Sequence, residues 1–253
     1  MKKHLVMLHG FGCDSRVFAS IGTKLSKTYD VLMVHLPGHG QTKEEFRDFR
    51  FSAYTIIHAL DQYLEEPYSL LGWSMGGQIA LEMFGQKKEH KCDHAGCKHE
   101  LFESMILIST TPKFVHSDDF PVGMNKAIFN KFRKGIETDA KAQLDDFYKL
   151  LFSAKEDGSK FIPGLKEQEP KQKTLVDCMS SFEKFDERKI LPKINIPTLI
   201  ITGDEDNVID PKASYFMSQE IKGSSLKVFK GAGHAPHLTR EKEMIDEIEK
   251  FLG

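Results

Sequence analysis

The sequence predicts an α/β fold: a mainly parallel sheet flanked by helices, with a helical cap inserted into it. Three observations predict it. Short apolar runs alternate with amphipathic stretches along most of the chain, a Gly-x-Ser-x-Gly turn joins one such run to one such stretch, and the alternation lapses between Pro112 and about Pro192.

Strand runs fall at residues 4–8, 30–35, 68–71, 104–109, 198–202 and 226–229, separated mostly by helical patterns. That order makes a parallel sheet with crossover helices. Helices fit 16–26, 53–65, 75–86, 211–221 and 240–252, the last with Met244, Ile245, Ile248, Phe251 and Leu252 on one face. No internal repeat interrupts the pattern. The core is expected over 1–111 and 193–253, and the cap over 112–192. Within the cap, three sets recur at helical spacing: Met124, Ile128 and Phe132; Leu144, Phe147 and Leu151; Leu175, Met179 and Phe182. Such stripes are ordinarily core, but one side of a cap must also roof the site, which leaves some of these phenylalanines for an acyl pocket.

With 253 residues and 40% hydrophobic composition, the chain can bury the core of one α/β domain with an inserted cap. A net charge of −2 with interspersed signs offers no basic face for nucleic acid and no polybasic membrane anchor. No run approaches the ~20 apolar residues of a membrane span. Met1-Lys2-Lys3 before an apolar run resembles the start of a secretion signal, but the run ends at His9-Gly10 and reads as a strand, so a cytoplasmic protein is expected. A monomer is expected as well. Cys13, Cys92, Cys97 and Cys178 lack the density of a disulfide scaffold and fit a reducing compartment.

Gly72-Trp73-Ser74-Met75-Gly76-Gly77 follows one strand run and opens a helical pattern. A sharp strand-to-helix turn exposes the serine at the carboxyl end of the sheet, with a helix N-terminus beneath it. A serine hydroxyl needs a base to become a nucleophile, and the base needs an orienting acid. Of eleven histidines, His234 in Gly231-Ala-Gly-His-Ala-Pro236 lies between the last strand and the last helix. His237 falls further towards that helix and reads as a supporting or surface residue. Asp204, Glu205 and Asp206, directly after the fifth strand run, compete for the acid; Asp206 is chosen because its place in the turn carries it past the strand end. Backbone amides of Met75 and of Phe11, in His9-Gly-Phe-Gly12, could stabilise an oxyanion. His9 is expected to pack and hydrogen-bond structurally.

With these motifs in place, the chain resembles the α/β-hydrolases over nearly its whole length, and most closely the pimeloyl-acyl-carrier-protein methyl ester esterases of biotin synthesis. The likeness extends to Leu36-Pro-Gly-His-Gly40, to Ser109-Thr-Thr-Pro-Lys-Phe114 and to Asp118-Asp-Phe-Pro121. It implies that Ser74, Asp206 and His234 form a catalytic triad, that the Phe11 and Met75 amides form the oxyanion hole, and that Phe11, Trp73 and Phe147 contact substrate. Phe147 reads equally as cap core. The reaction implied is methyl ester hydrolysis on an acyl carrier protein, through an acyl-enzyme and without metal or organic cofactor. An acidic carrier implies a basic docking face, and Lys126, Lys131, Arg133 and Lys134 form an acid-free block; the alternative is a solvated helix face.

The chain departs from that family in two places. Leading strands before the first run are expected to be missing or shortened, and residues 87–100 are inserted. The insertion carries His90, Cys92, His94, Cys97 and His99. Cys92, Cys97, His94 and His99 could form a structural zinc site or a polar surface loop. Rival functions are a small-ester carboxylesterase, another reaction on the same frame, or a ligand receptor that has lost turnover.

Overall fold

The structure, a computed structural model, describes residues 2–89 and 102–253. Six strands form one sheet in the order β2-β1-β3-β4-β5-β6, every pair parallel. They are β1 His4–Leu8, β2 Asp30–Val34, β3 Tyr68–Trp73, β4 Phe102–Ile108, β5 Thr198–Gly203 and β6 Ser225–Phe229. Both faces of β3 and β5 are buried, which explains their continuous apolar character. Both run past their expected ends because pairing continues, Trp73 beside Ile108 and Gly203 beside Phe229. β4 stops before Ser109, where the backbone turns to a positive φ of 46°.

Helices on the sheet are α1 Ala19–Leu25, α2 Phe49–Tyr63 and α3 Met75–Glu89. The single helix expected over 16–26 instead starts as a 3-10 turn, Ser15–Phe18, because the Asp14 carboxylate accepts from the Arg16 amide at 2.9 Å. α2 begins four residues before its expected start at 53, since Asp48 caps it through the Phe51 amide at 2.6 Å. β1 crosses to β2 in one direction and β3 to β4 in the other. Right-handed crossovers therefore place α1 and α3 on opposite faces and open a crevice between the carboxyl ends of β1 and β3.

Three helices, α4 Lys126–Leu150, α5 Ile162–Lys166 and α6 Gln172–Lys184, are inserted between β4 and β5. α4 is two helical segments broken at Asp139 (φ −149°, ψ 83°). Asp139 starts the second segment by accepting from the Ala142 amide at 3.0 Å. Gln172 ends the first by donating to the carbonyls of Ile136 and Glu137, both at 2.9 Å. The buried stripe of α4 is Phe129, Ile136, Leu144, Phe147 and Tyr148. Met124 precedes the helix and Ile128 is 61% exposed, while Met124 and Phe132 pack partly buried against the core, so the expected stripe is core only in part. After β5 come α7 Lys212–Glu220, α8 Pro236–Thr239 and α9 Glu241–Leu252. α9 lies against α1, with Met244, Ile248 and Leu252 buried. No described helix is long and apolar enough to cross a membrane.

Asp139→Ala removes the cap of the second segment of α4 and is expected to cost about 1 kcal/mol. Urea unfolding should show a lower midpoint with an unchanged m-value, and an unchanged midpoint would contradict this role.

Candidate active site

Ser74 follows directly on β3 and adopts φ 54°. A side chain on Gly76 would lie 2.1 Å from the Leu8 carbonyl oxygen, and one on Gly72 would lie 2.5 Å from that of Gly76. Glycine at the two positions lets α3 start so close to β1 and β3. The turn is tied to its neighbours by the Ser74 amide donating to Ile108 at 2.9 Å and the Thr110 hydroxyl donating to the Ser74 carbonyl at 2.8 Å. Ser74 itself is 5% exposed.

The loops after β5 and β6 deliver the acid and the histidine to the same edge of the sheet. His234 Nε2 lies 2.9 Å from Ser74 Oγ, and His234 Nδ1 lies 2.8 Å from Asp206 Oδ2. With its proton on Nδ1 donated to Asp206, the ring presents a lone pair to the serine hydroxyl. The other Asp206 oxygen accepts from the amides of Val208 and Ile209 at 2.8 and 2.9 Å, which fixes the carboxylate. Both side chains of the His234–Asp206 pair are fully buried, so their attraction is not screened by water. The neighbouring acids point elsewhere: Asp204 accepts from the Gly231 amide at 2.6 Å, and Glu205 pairs with Lys155.

Phe11 and Met75 amides have no hydrogen-bond partner among the described residues. The loop bearing Phe11 is held from the cap, where the Tyr148 hydroxyl donates to the Gly12 carbonyl at 2.5 Å. Beneath it, His9 donates from Nδ1 to Gly10 at 2.9 Å and accepts the Leu36 amide on Nε2 at 3.1 Å, a structural role.

Ser74 opens into an apolar cavity of about 100 Å³ lined by Phe11, Phe114, Met124, Ile128, Phe132, Phe147, Leu150, Met179, Phe182, Asn207 and Val208. Phe11 meets Phe132, Phe147 and Phe182 edge-on, with ring centroids 6.0, 5.6 and 5.7 Å apart. Phe147 thus both packs in the cap and faces the cavity. Phe114, Leu150, Asn207 and Val208 were not anticipated; Asn207 and Val208 could have been found as neighbours of Asp206.

Trp73, expected at the substrate, lies under the site instead. Its ring is buried, and its indole N–H donates to the His234 carbonyl at 2.8 Å. As the last residue of a strand buried on both faces, it alternates away from the cavity. His237 is also buried, 4.5 Å from the Trp73 ring centroid, and neither ring nitrogen has a partner among the described residues. Lys126, Lys131 and Lys134 are exposed on α4 and form no ion pair among the described residues. Arg133 differs, being held by Glu137 at 3.1 Å and Glu183 at 2.7 Å, so its charge is neutralised locally. Cys92, Cys97, His94 and His99 lie outside the described residues, as does His90.

The family model of the alpha/beta hydrolase fold matches residues 3–241. The chain belongs to that family. Curated α/β-hydrolase relatives include the pimeloyl-[acyl-carrier protein] methyl ester esterase of Nitrosomonas europaea, 28% identical over 246 residues, covering 95% of this chain and 92% of that one. The esterase of the same name from Stenotrophomonas maltophilia is 26% identical over 253 residues, covering 98% and 92%. Among solved α/β-hydrolase structures, a bromoperoxidase from Bacillus anthracis is similar at TM-score 0.88 and 25% identity, covering 100% of this chain and 92% of that one. An esterase from Exiguobacterium antarcticum is similar at TM-score 0.87 and 24% identity, covering 98% and 91%. Such different names on one frame show that the frame does not choose the reaction.

Burial pushes His39 down to about 4 and, with His234 nearby, His237 down to about 3; it also holds His9 well below the ordinary histidine range. Each is neutral in the folded chain and protonates more readily when unfolded. The unfolded state therefore binds more protons below about pH 6.5, and stability falls as the pH is lowered through that range. Urea midpoints at pH 7, 6 and 5 should fall progressively; a flat profile would contradict this.

Proposed function

We propose that the chain is a serine carboxylesterase that hydrolyses the methyl ester of an acyl chain borne on acyl carrier protein, of the pimeloyl type used in biotin synthesis. The observation that carries the chemistry is the unbroken hydrogen-bonded line from Asp206 through His234 to Ser74 at the floor of an apolar cavity. The full-length likeness to the methyl ester esterases supports the substrate class.

In this reading Ser74 Oγ attacks the ester carbonyl carbon while its proton passes to His234 Nε2, and Asp206 stabilises the resulting imidazolium. Negative charge gathers on the carbonyl oxygen, where the amides of Phe11 and Met75 receive it. Collapse breaks the bond to the methoxy oxygen, which leaves as methanol with the proton from Nε2. Water then gives a proton to the same nitrogen and attacks the acyl-enzyme, and the second collapse frees the carboxylic acid and restores Ser74. No metal or organic cofactor takes part.

The cavity would hold the alkyl chain between the phenylalanines of core and cap. Ile128 and Leu150, both exposed, line it and mark its mouth. Lys131 stands one turn beyond Ile128 on α4, and with Lys126 and Lys134 offers unpaired positive charge where an acidic carrier would approach.

At low salt, the carrier-borne methyl ester should be hydrolysed with a kcat/KM about tenfold above that of the free methyl ester, the advantage fading with added salt. Lys131→Glu combined with Lys134→Glu should remove the advantage through KM and leave the free ester unaffected. Ser74→Ala should lower turnover of both substrates by more than ~1,000-fold. Equal kcat/KM on both substrates would favour a small-ester carboxylesterase, and an active Ser74→Ala variant would overturn the mechanism.

A further inference from the structure

We propose that Glu156 is a positioning residue for His234: one cap carboxylate that holds both ends of the histidine loop. The inference rests on the triad reading above and deepens it.

Glu156 lies in the segment that leaves α4, far from the histidine in sequence. One carboxylate oxygen accepts from the Gly233 amide at 2.8 Å and from the Ser153 amide at 2.9 Å. The other accepts from the Thr239 hydroxyl. Gly233 immediately precedes His234 and Thr239 ends α8, so the same side chain grips the loop on either side of the imidazole. Hydrogen bonds to an ionised carboxylate are among the stronger polar contacts available to a loop.

The segment 151–156 is fitted to that loop along its length. Ser153 Oγ donates to the Gly231 carbonyl at 2.7 Å, and the Ala235 amide donates to the Leu151 carbonyl at 3.1 Å. A side chain on Gly233 would lie 2.6 Å from the Ser153 nitrogen, so the contact exists only because that residue is glycine. Lys155 reaches the acid loop as well, through its ion pair with Glu205 beside Asp206. The cap therefore binds both loops that present partners to Ser74, and Glu156 makes the contacts nearest the histidine. Phe147 and Leu150, which line the cavity, stand just upstream on α4. Cavity wall and histidine loop are thereby kept in register.

Misplacing a catalytic group by about 1 Å can cost up to ~100-fold in rate. Glutamine at 156 can still accept both amides on its carbonyl oxygen and donate to Thr239 from its nitrogen. Aspartate keeps the charge but withdraws the oxygens by one methylene, and alanine removes them. With a p-nitrophenyl ester, Glu156→Gln should keep kcat within about threefold of wild type, whereas Glu156→Asp and Glu156→Ala should lose about tenfold to a hundredfold in kcat with KM within about twofold. Should the alanine variant fail to fold, the aspartate and glutamine variants carry the comparison. Wild-type kcat in Glu156→Asp, or equal losses in Glu156→Asp and Glu156→Gln, would overturn the proposal. Ser74→Ala is assayed alongside: its inactivity keeps the triad reading whatever Glu156 does, and its activity would remove that reading.

Discussion

The turn from β3 into α3 is the constraint on which the rest of the site depends. For Ser74 to stand clear of the sheet, its backbone must take φ 54°, a region that costs a non-glycine residue of order 1–3 kcal/mol. That strain is held by surroundings that leave no alternative: Gly76 pressed against the Leu8 carbonyl, the Ser74 amide bonded to β4, and Thr110 bonded to the Ser74 carbonyl. Because β3 is central and buried on both faces, the turn cannot relax by shifting the strand. One serine hydroxyl is thus fixed at the carboxyl ends of β1 and β3, where the chain connections leave in opposite directions. Everything that meets it must arrive from loops at the same edge.

Those loops come from two directions. The sheet supplies the Phe11, Asp206 and His234 loops, and the segment inserted between β4 and β5 braces each in turn. Tyr148 holds the Gly12 carbonyl, Lys155 pairs with Glu205, and Glu156 takes the Gly233 amide. Trp73 supports His234 from below through its carbonyl. The insertion consequently does more than roof the cavity. Its aromatic side meets Phe11, while the Tyr148 hydroxyl, Lys155 and Glu156 hold the loops around the serine.

Much of this was legible in the sequence because local signals and sheet order coincide. Strand, turn and helix around Ser74 are adjacent in the chain, and a loop after a late strand of a parallel sheet must lie at the same edge. The choice among Asp204, Glu205 and Asp206 was harder, since all three occupy one turn. In the structure each carboxylate has a different partner, Gly231, Lys155 and His234 respectively, and only tertiary geometry assigns them. Trp73 was misplaced because its motif neighbours the serine, whereas strand alternation turns its ring downwards. Met124 and Ile128 followed helical spacing, yet the helix starts at Lys126, which puts Met124 outside it. Glu156 carried no sequence signal at all. Its partners lie far along the chain, and an isolated glutamate in a polar segment looks like solvated surface.

The central claim is that Ser74, activated by His234 and Asp206, forms an acyl-enzyme. The most direct measurement is mass spectrometry of protein quenched by acid during steady-state turnover of a p-nitrophenyl ester, followed by peptide mapping. The account predicts a single acyl adduct on the peptide containing Ser74, formed in a burst equal to the enzyme concentration and absent from His234→Ala. An adduct on another residue, or full turnover by His234→Ala, would contradict it.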